Sequence, residues 1–198
     1  IRTIVTSKTY LQSSAVREDL QHEDPLNLYL GRQNRLRLDA EIVRDVALVA
    51  SGLFCDTIGG PSVRPPIPDG VMTQGQVRRS WKVSEGGDRY RRAMYTFAYR
   101  VTPPPALNVF DAPDGLSSCT RRIRSNTPLQ ALTLLNDPAF VEFAHAMEKV
   151  VERDGLEVAF QRCTSRRPTT EELALLEQLD TLGKARALLN LDETITRE

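Results

Sequence analysis

The sequence predicts a mainly α fold, a compact multi-helix domain with a long Pro/Gly-rich strap and at most a small two-stranded ribbon. Three observations carry that expectation. Thr127-Pro128 and Asp137-Pro138 each pair a capping side chain with a proline in the first helical turn, where the missing N–H is no loss. Apolar residues recur at helical spacing in DAEIVRDVALVASGL (39–53) and again from Phe140 to Val151. Between them, residues 56–87 include GGPSVRPPIPDG, with four prolines and three glycines in twelve residues. That density of breakers suits neither a helix nor a central strand, and loops of such length are commonly functional or mobile.

Taken in order, the chain to about Arg37 reads as short helical pieces broken by polar turns, with Asp24-Pro25 as a helix start. Asp39 suits the N-cap of the next helix, whose apolar face is Ile42, Val43, Val46, Val49, Ala50 and Leu53. RRAMYTFAYRV (91–101) alternates with period two and predicts a strand, pairing with an extended ALNVFD (106–111). Leu129, Ala131, Leu132, Leu134 and Leu135 wrap most of the 127–136 helix, so it should be buried, Leu132 included. Phe140, Phe143, Ala144, Met147, Val150 and Val151 make one stripe. Thr169 and Glu172 match a capping box ahead of Leu175, Leu176 and Leu179, and KARALLNL packs Ala185, Leu188 and Leu189.

At 198 residues the chain is read as a single domain, cut from something larger. Lys plus Arg and Asp plus Glu both number 26, which argues against a general nucleic-acid binder. No apolar run approaches the roughly 20 residues of a membrane span. Cys55, Cys119 and Cys163 form no C-x-x-C pair, and three buried thiols are favoured over one disulfide with a free thiol. With two histidines, His22 in a polar turn and His145 on a polar helix face, neither a metal centre nor a Ser-His-Asp triad is expected.

The candidate chemistry gathers in FDAPDGLSSCTRRIRSN (110–126). Arg121, Arg122, Arg124 and Asn126 precede a helix start, where guanidinium forks and backbone N–H groups favour an anion. The structural reading pairs these arginines with Asp111, Asp114, Glu41 or Asp45, clamping the strap onto the helices. Asp111 and Asp114 flank Pro113 and could serve as acid and base in glycoside cleavage; Asp in such turns more often caps its own backbone. Cys119 beside Arg121 and Arg122 has the setting of a reactive thiolate, though no histidine lies near in sequence.

GGPSVRPPIPDGV, DRYRRAMYTFAYR, FDAPD, CTRRIRSNTPLQALTLLNDP and the terminal LLNLDETITRE, together with RLDAEIVRD, carry a resemblance. The chain resembles the planctomycete-specific C-terminal domain of unknown function found in large exported cytochrome-c-like proteins. That resemblance implies a whole protein with a signal peptide, a separate N-terminal haem domain, and residence in the periplasm or at the cell surface. It implies no haem in this chain, because C-x-x-C-H is missing from it. The expected function is a non-catalytic binding or docking module, meeting other domains of the same polypeptide and an anionic glycan or a protein partner. A polysaccharide-acting enzyme using Asp111 and Asp114, and a purely structural domain, are the alternatives.

Overall fold

A computed structural model describes residues 1–73 and 77–197; Gln74–Gln76 of the predicted strap lie outside them. Among the described residues the fold is mainly helical, with one two-stranded antiparallel ribbon. The chain divides into two compact units, Ile1–Leu38 with the C-terminal residues from Thr196, and Asp39–Ile195.

The first unit holds a one-turn helix α1 (Arg2–Val5), a 3-10 turn at Glu18–Leu20, and the ribbon β1 (Leu36–Arg37) with β2 (Thr196–Arg197). Leu36 pairs with Arg197 and Arg37 with Thr196. The ribbon expected at 91–111 is therefore elsewhere. Asp24-Pro25 starts no helix; the Asp24 carboxylate instead accepts the N–H groups of Leu28 (2.7 Å) and Tyr29 (2.8 Å).

The second unit is built around α5 (Pro138–Asp154), whose predicted stripe from Phe140 to Val151 is buried throughout. Asp137 starts it, accepting the Ala139 N–H at 2.9 Å. The stripe packs against α2 (Ala40–Ser51), α6 (Leu156–Thr164) and α8 (Thr181–Leu189), which bring Leu48, Phe160 and Leu188 to the core. Phe140 and Phe143 meet edge to face with centroids 5.4 Å apart. Gly52 closes α2 at φ 75°, a left-handed conformation that a side chain would resist. The helix is turned from the predicted face, for Val43, Arg44, Ala47 and Leu48 are buried while Ile42 and Val49 are exposed. Thr169 and Glu172 form their capping box on α7 (Thr170–Glu177). There Leu176 is buried, whereas Leu175 and Leu179 are exposed.

Two further expectations fail. Residues 93–95 form a 3-10 turn, and ALNV lies inside the short helix α3 (Pro105–Val109). Among the described residues the pleat survives as isolated bridges, Cys55 with Arg91, Val63 with Thr96 and Tyr99 with Thr102. The alternating aromatics serve instead as stacking faces: Arg64 lies 4.4 Å from the Phe97 centroid and Arg79 4.5 Å from Tyr99. Second, α4 (Pro128–Asn136) buries Gln130 and Leu134, leaving Leu132 at 53 % exposure. Gln130 wins the inner position because its side-chain amide has partners there: Nε2 donates to Val109 O at 2.9 Å, and Oε1 accepts the Thr127 N–H at 3.4 Å.

Residues 56–87 are laid down as an ordered strap wherever described. Val63 donates to Tyr95 O and accepts from Phe97 N–H, both at 2.8 Å. Trp81 Nε1 donates to Pro65 O at 2.7 Å. A buried arginine holds the start of the strap. The Arg91 guanidinium donates to the carbonyls of Pro61 (3.1 Å), Thr57 (3.3 Å) and Gly59, and lies 4.1 Å from the Tyr95 ring centroid. A second buried arginine, Arg44, donates in turn to Arg91 O (2.8 Å) and Arg89 O (3.0 Å). Burial pulls the Arg44 pKa down to about 10, which leaves it charged at neutral pH. The strap is thus fastened to α2 through Arg91 and Arg44, not through the 121–124 cluster.

Candidate functional site

Residues 111–123 fold around an open hollow of about 380 Å³. Asp111, Asp114, Cys119, Arg121 and Arg122 line it together with Ser117, Ser118 and Thr120. Most of the residues singled out in the sequence therefore come to one place. Arg124 and Asn126 do not line it.

The two carboxylates are employed by their own loop. Asp111, itself at φ 61°, accepts the Ser125 N–H at 2.8 Å and its hydroxyl at 2.9 Å. Asp114 accepts the Leu116 N–H at 2.9 Å, the turn-capping habit of an Asp between Pro and Gly.

The arginines divide. Arg122 grips Glu41 through both terminal guanidinium nitrogens, at 2.6 and 3.1 Å, and Arg124 reaches Asp39 at 3.3 Å. Asp39 is also 3.7 Å from Arg122, so the first turn of α2 receives both cations. Asp39 thereby spends its carboxylate on arginines, and no side-chain cap bond closes the helix start. Burial is the largest single influence on the Glu41 pKa and works to raise it, but the Arg122 hydrogen bond, a backbone hydrogen bond and the Arg122 charge together outweigh it, and the net shift is downward. Asp45, the other acid expected to meet the cluster, instead accepts the Ala93 N–H at 2.7 Å. Arg121 is exposed and has no ion pair among the described residues.

The cysteines are unpaired, and only Cys163 is buried, with its thiol pushed up to about 12 by that burial. Cys119 is exposed on the hollow and Cys55 is half-buried, so the expectation of three buried thiols is corrected. Cys163 is covered because its helix packs against α2, α5 and α8, whereas Cys119 sits in a loop of turns open to solvent. His145 is on the surface beside Glu148, 3.3 Å away. No cluster of three metal-ligating side chains occurs among the described residues, and no helix there is long and apolar enough to cross a membrane.

Sequence reasoning missed Arg44, Arg91 and Gln130, polar residues at the most enclosed positions. An arginine two places before an apolar helical position gives no sign of burial on its own. A smaller concavity, about 20 Å³, lies where Arg44 and Asp137 meet Pro65, Pro66 and Phe110. It has room for about one water molecule, too little for a sugar ring.

No curated protein and no solved structure matches the chain. A family model matches residues 1–179, the whole of the hollow and of its supporting helices included, and the chain accordingly belongs to the PSD1 family, described as a protein of unknown function (DUF1553).

Proposed function

We propose that this domain is a non-catalytic binding or docking module of an exported, cytochrome-associated protein, and that the 111–123 hollow receives an anionic group of a glycan or a protein partner. One observation carries the reading. The hollow's acids are taken up by their own loop, while Arg121 stands exposed on it and forms no ion pair among the described residues. A guanidinium fork of this kind matches a carboxylate or a sulfate, and Ser117, Ser118 and Thr120 add hydroxyl donors around it. Arg122 and Arg124 support that role indirectly, by tying the loop to α2. Asp111 and Asp114 as capping groups favour binding over acid–base cleavage, which needs carboxyl groups free to exchange protons. Residence in the periplasm or at the cell surface belongs to the same proposal, with haem held only by another domain of the polypeptide; a Soret band in the purified chain would contradict that part.

The test is an array of uronic-acid and sulfated glycans, with a parallel pull-down, using the wild-type chain and Arg121→Glu. Retention that Arg121→Glu abolishes is the expected result. Retention unaffected by that change, or none at all, removes the hollow as the contact. Release of reducing ends that Asp111→Asn and Asp114→Asn both abolish would make the domain an enzyme.

A further inference from the structure

The loop at residues 24–30, EDPLNLYL in its surroundings, is built in an unusual way. Its enclosed residues are polar and its outward ones are apolar. Asp24 and Asn27 are buried, whereas Leu26, Leu28, Tyr29 and Leu30 are each more than half exposed, Tyr29 at 80 %. The loop is held rigidly. Asp24 takes the N–H groups of Leu28 and Tyr29. Asn27 Nδ2 donates to Arg32 O at 2.8 Å and Asn34 Oδ1 at 3.0 Å, and Asn27 Oδ1 accepts the Arg32 N–H at 3.2 Å.

Two residues here adopt positive φ, Asn27 at 55° and Leu30 at 54°. Asparagine tolerates that region, but leucine rarely enters it. Strain kept where four large apolar side chains face water is a reason to look for a function, because contiguous exposed apolar surface marks an interaction site.

We propose that this knuckle is a peripheral membrane contact, inserting its apolar side chains into the surface of an anionic lipid bilayer. Charge and shape favour that occupant. Residues 1–38 carry six arginines and lysines against four acids, while residues 39–195 carry 19 against 21. Asp19 is paired with Arg17, which leaves five cations against three acids, and the Asp24 carboxylate is buried against the loop's own N–H groups. Arg32 donates to Pro25 O at 3.3 Å, placing a cation at the base of the knuckle, and Glu23 is the exposed acid beside it. An aromatic and leucines beside basic residues are the composition of interfacial contacts.

The experiment is co-sedimentation of the full chain with vesicles of phosphatidylcholine containing about a third phosphatidylglycerol, and with phosphatidylcholine alone. Binding to the anionic vesicles, lowered about tenfold or more by the Leu28→Glu/Tyr29→Glu double variant and weakened by Arg32→Gln, is expected. Both replaced side chains are exposed, so the helical unfolding curve of the double variant should match the wild type. As an independent reading, Tyr29→Trp should shift its emission to the blue with anionic vesicles. Failure to sediment, undiminished binding of the double variant, or unshifted emission each overturns the proposal. So does a dimer abolished by the double variant without vesicle binding, which would assign the knuckle to a second copy. Glycan retention through Arg121 is read separately and stands or falls apart from this result.

Discussion

The two units of this chain are stabilised in opposite ways. Residues 39–195 bury their apolar side chains around α5, and every buried apolar residue among the described ones belongs to them. In residues 1–38 the buried side chains are Asp24 and Asn27, and local hydrogen bonds replace a core. Apolar burial gathers many residues into one cooperative unit, whereas a hydrogen-bonded loop is secured only by its immediate neighbours. Stability should therefore respond to substitutions in residues 39–195 and surface behaviour to those in residues 1–38.

The largest expected effect tests that contrast directly. Phe143→Ala should cost about 3–5 kcal/mol in urea unfolding, since it empties a fully enclosed site. Leu28→Ala and Leu132→Ala, both exposed, should stay within about 0.5 kcal/mol. A large loss at Leu28 would mean that the first unit has a core after all.

Next comes the polar interior of the second unit. Arg91→Ala strips three strap carbonyls of their charged donor and should cost about 2–3 kcal/mol. Limited proteolysis should then cut near residues 57–61. Arg91→Lys should not restore protection, because one ammonium cannot span the same carbonyls as a planar fork.

The Arg122–Glu41 bridge should matter less than a buried pair. The Arg122 side chain is 34 % exposed, and solvent screening holds such pairs to about 1 kcal/mol or below. The folded Glu41 pKa is depressed, so its contribution is present above the ordinary glutamate range and is lost as pH falls through the folded value. The melting-temperature gap between wild type and Arg122→Ala should thus be open at neutral pH and close in acid. A gap that persists after glutamate protonation would assign the effect to packing of the arginine stem.

Smallest of all in global terms is Asp24→Ala. Amide exchange should accelerate at Leu28 and Tyr29 while the unfolding midpoint of residues 39–195 stays in place. A midpoint that moves with it would show the two units to be energetically coupled.

Much of the helical frame was legible in the chain because its signals are local. Thr169 with Glu172, Asp137 with Pro138, and the stripe from Phe140 to Val151 each specify a cap or a face from residues within a few turns. The hollow was half legible for the same reason: Asp111, Asp114, Cys119, Arg121 and Arg122 are neighbours in sequence, so a short loop gathers them. Their partners were not. Asp39 and Glu41 stand some eighty residues earlier, and nothing near Arg122 distinguishes Glu41 from Asp45.

What the sequence determined alone, then, was where helices begin, which long stretch could not be one, and that positive charge would gather ahead of α4. Tertiary structure decided which side of each helix faced inward and which polar groups went with it. Leu132 was displaced by Gln130 because burial rewards a residue only after its polar neighbours are satisfied, and Val109, Ser125 and Thr127 had groups that an amide could meet. The aromatic alternation of 91–101 lost its pleat for a related reason. Arg91 could donate hydrogen bonds to three carbonyls of the strap while Tyr95 covered its face, and no period in the sequence records a contact made some thirty residues away.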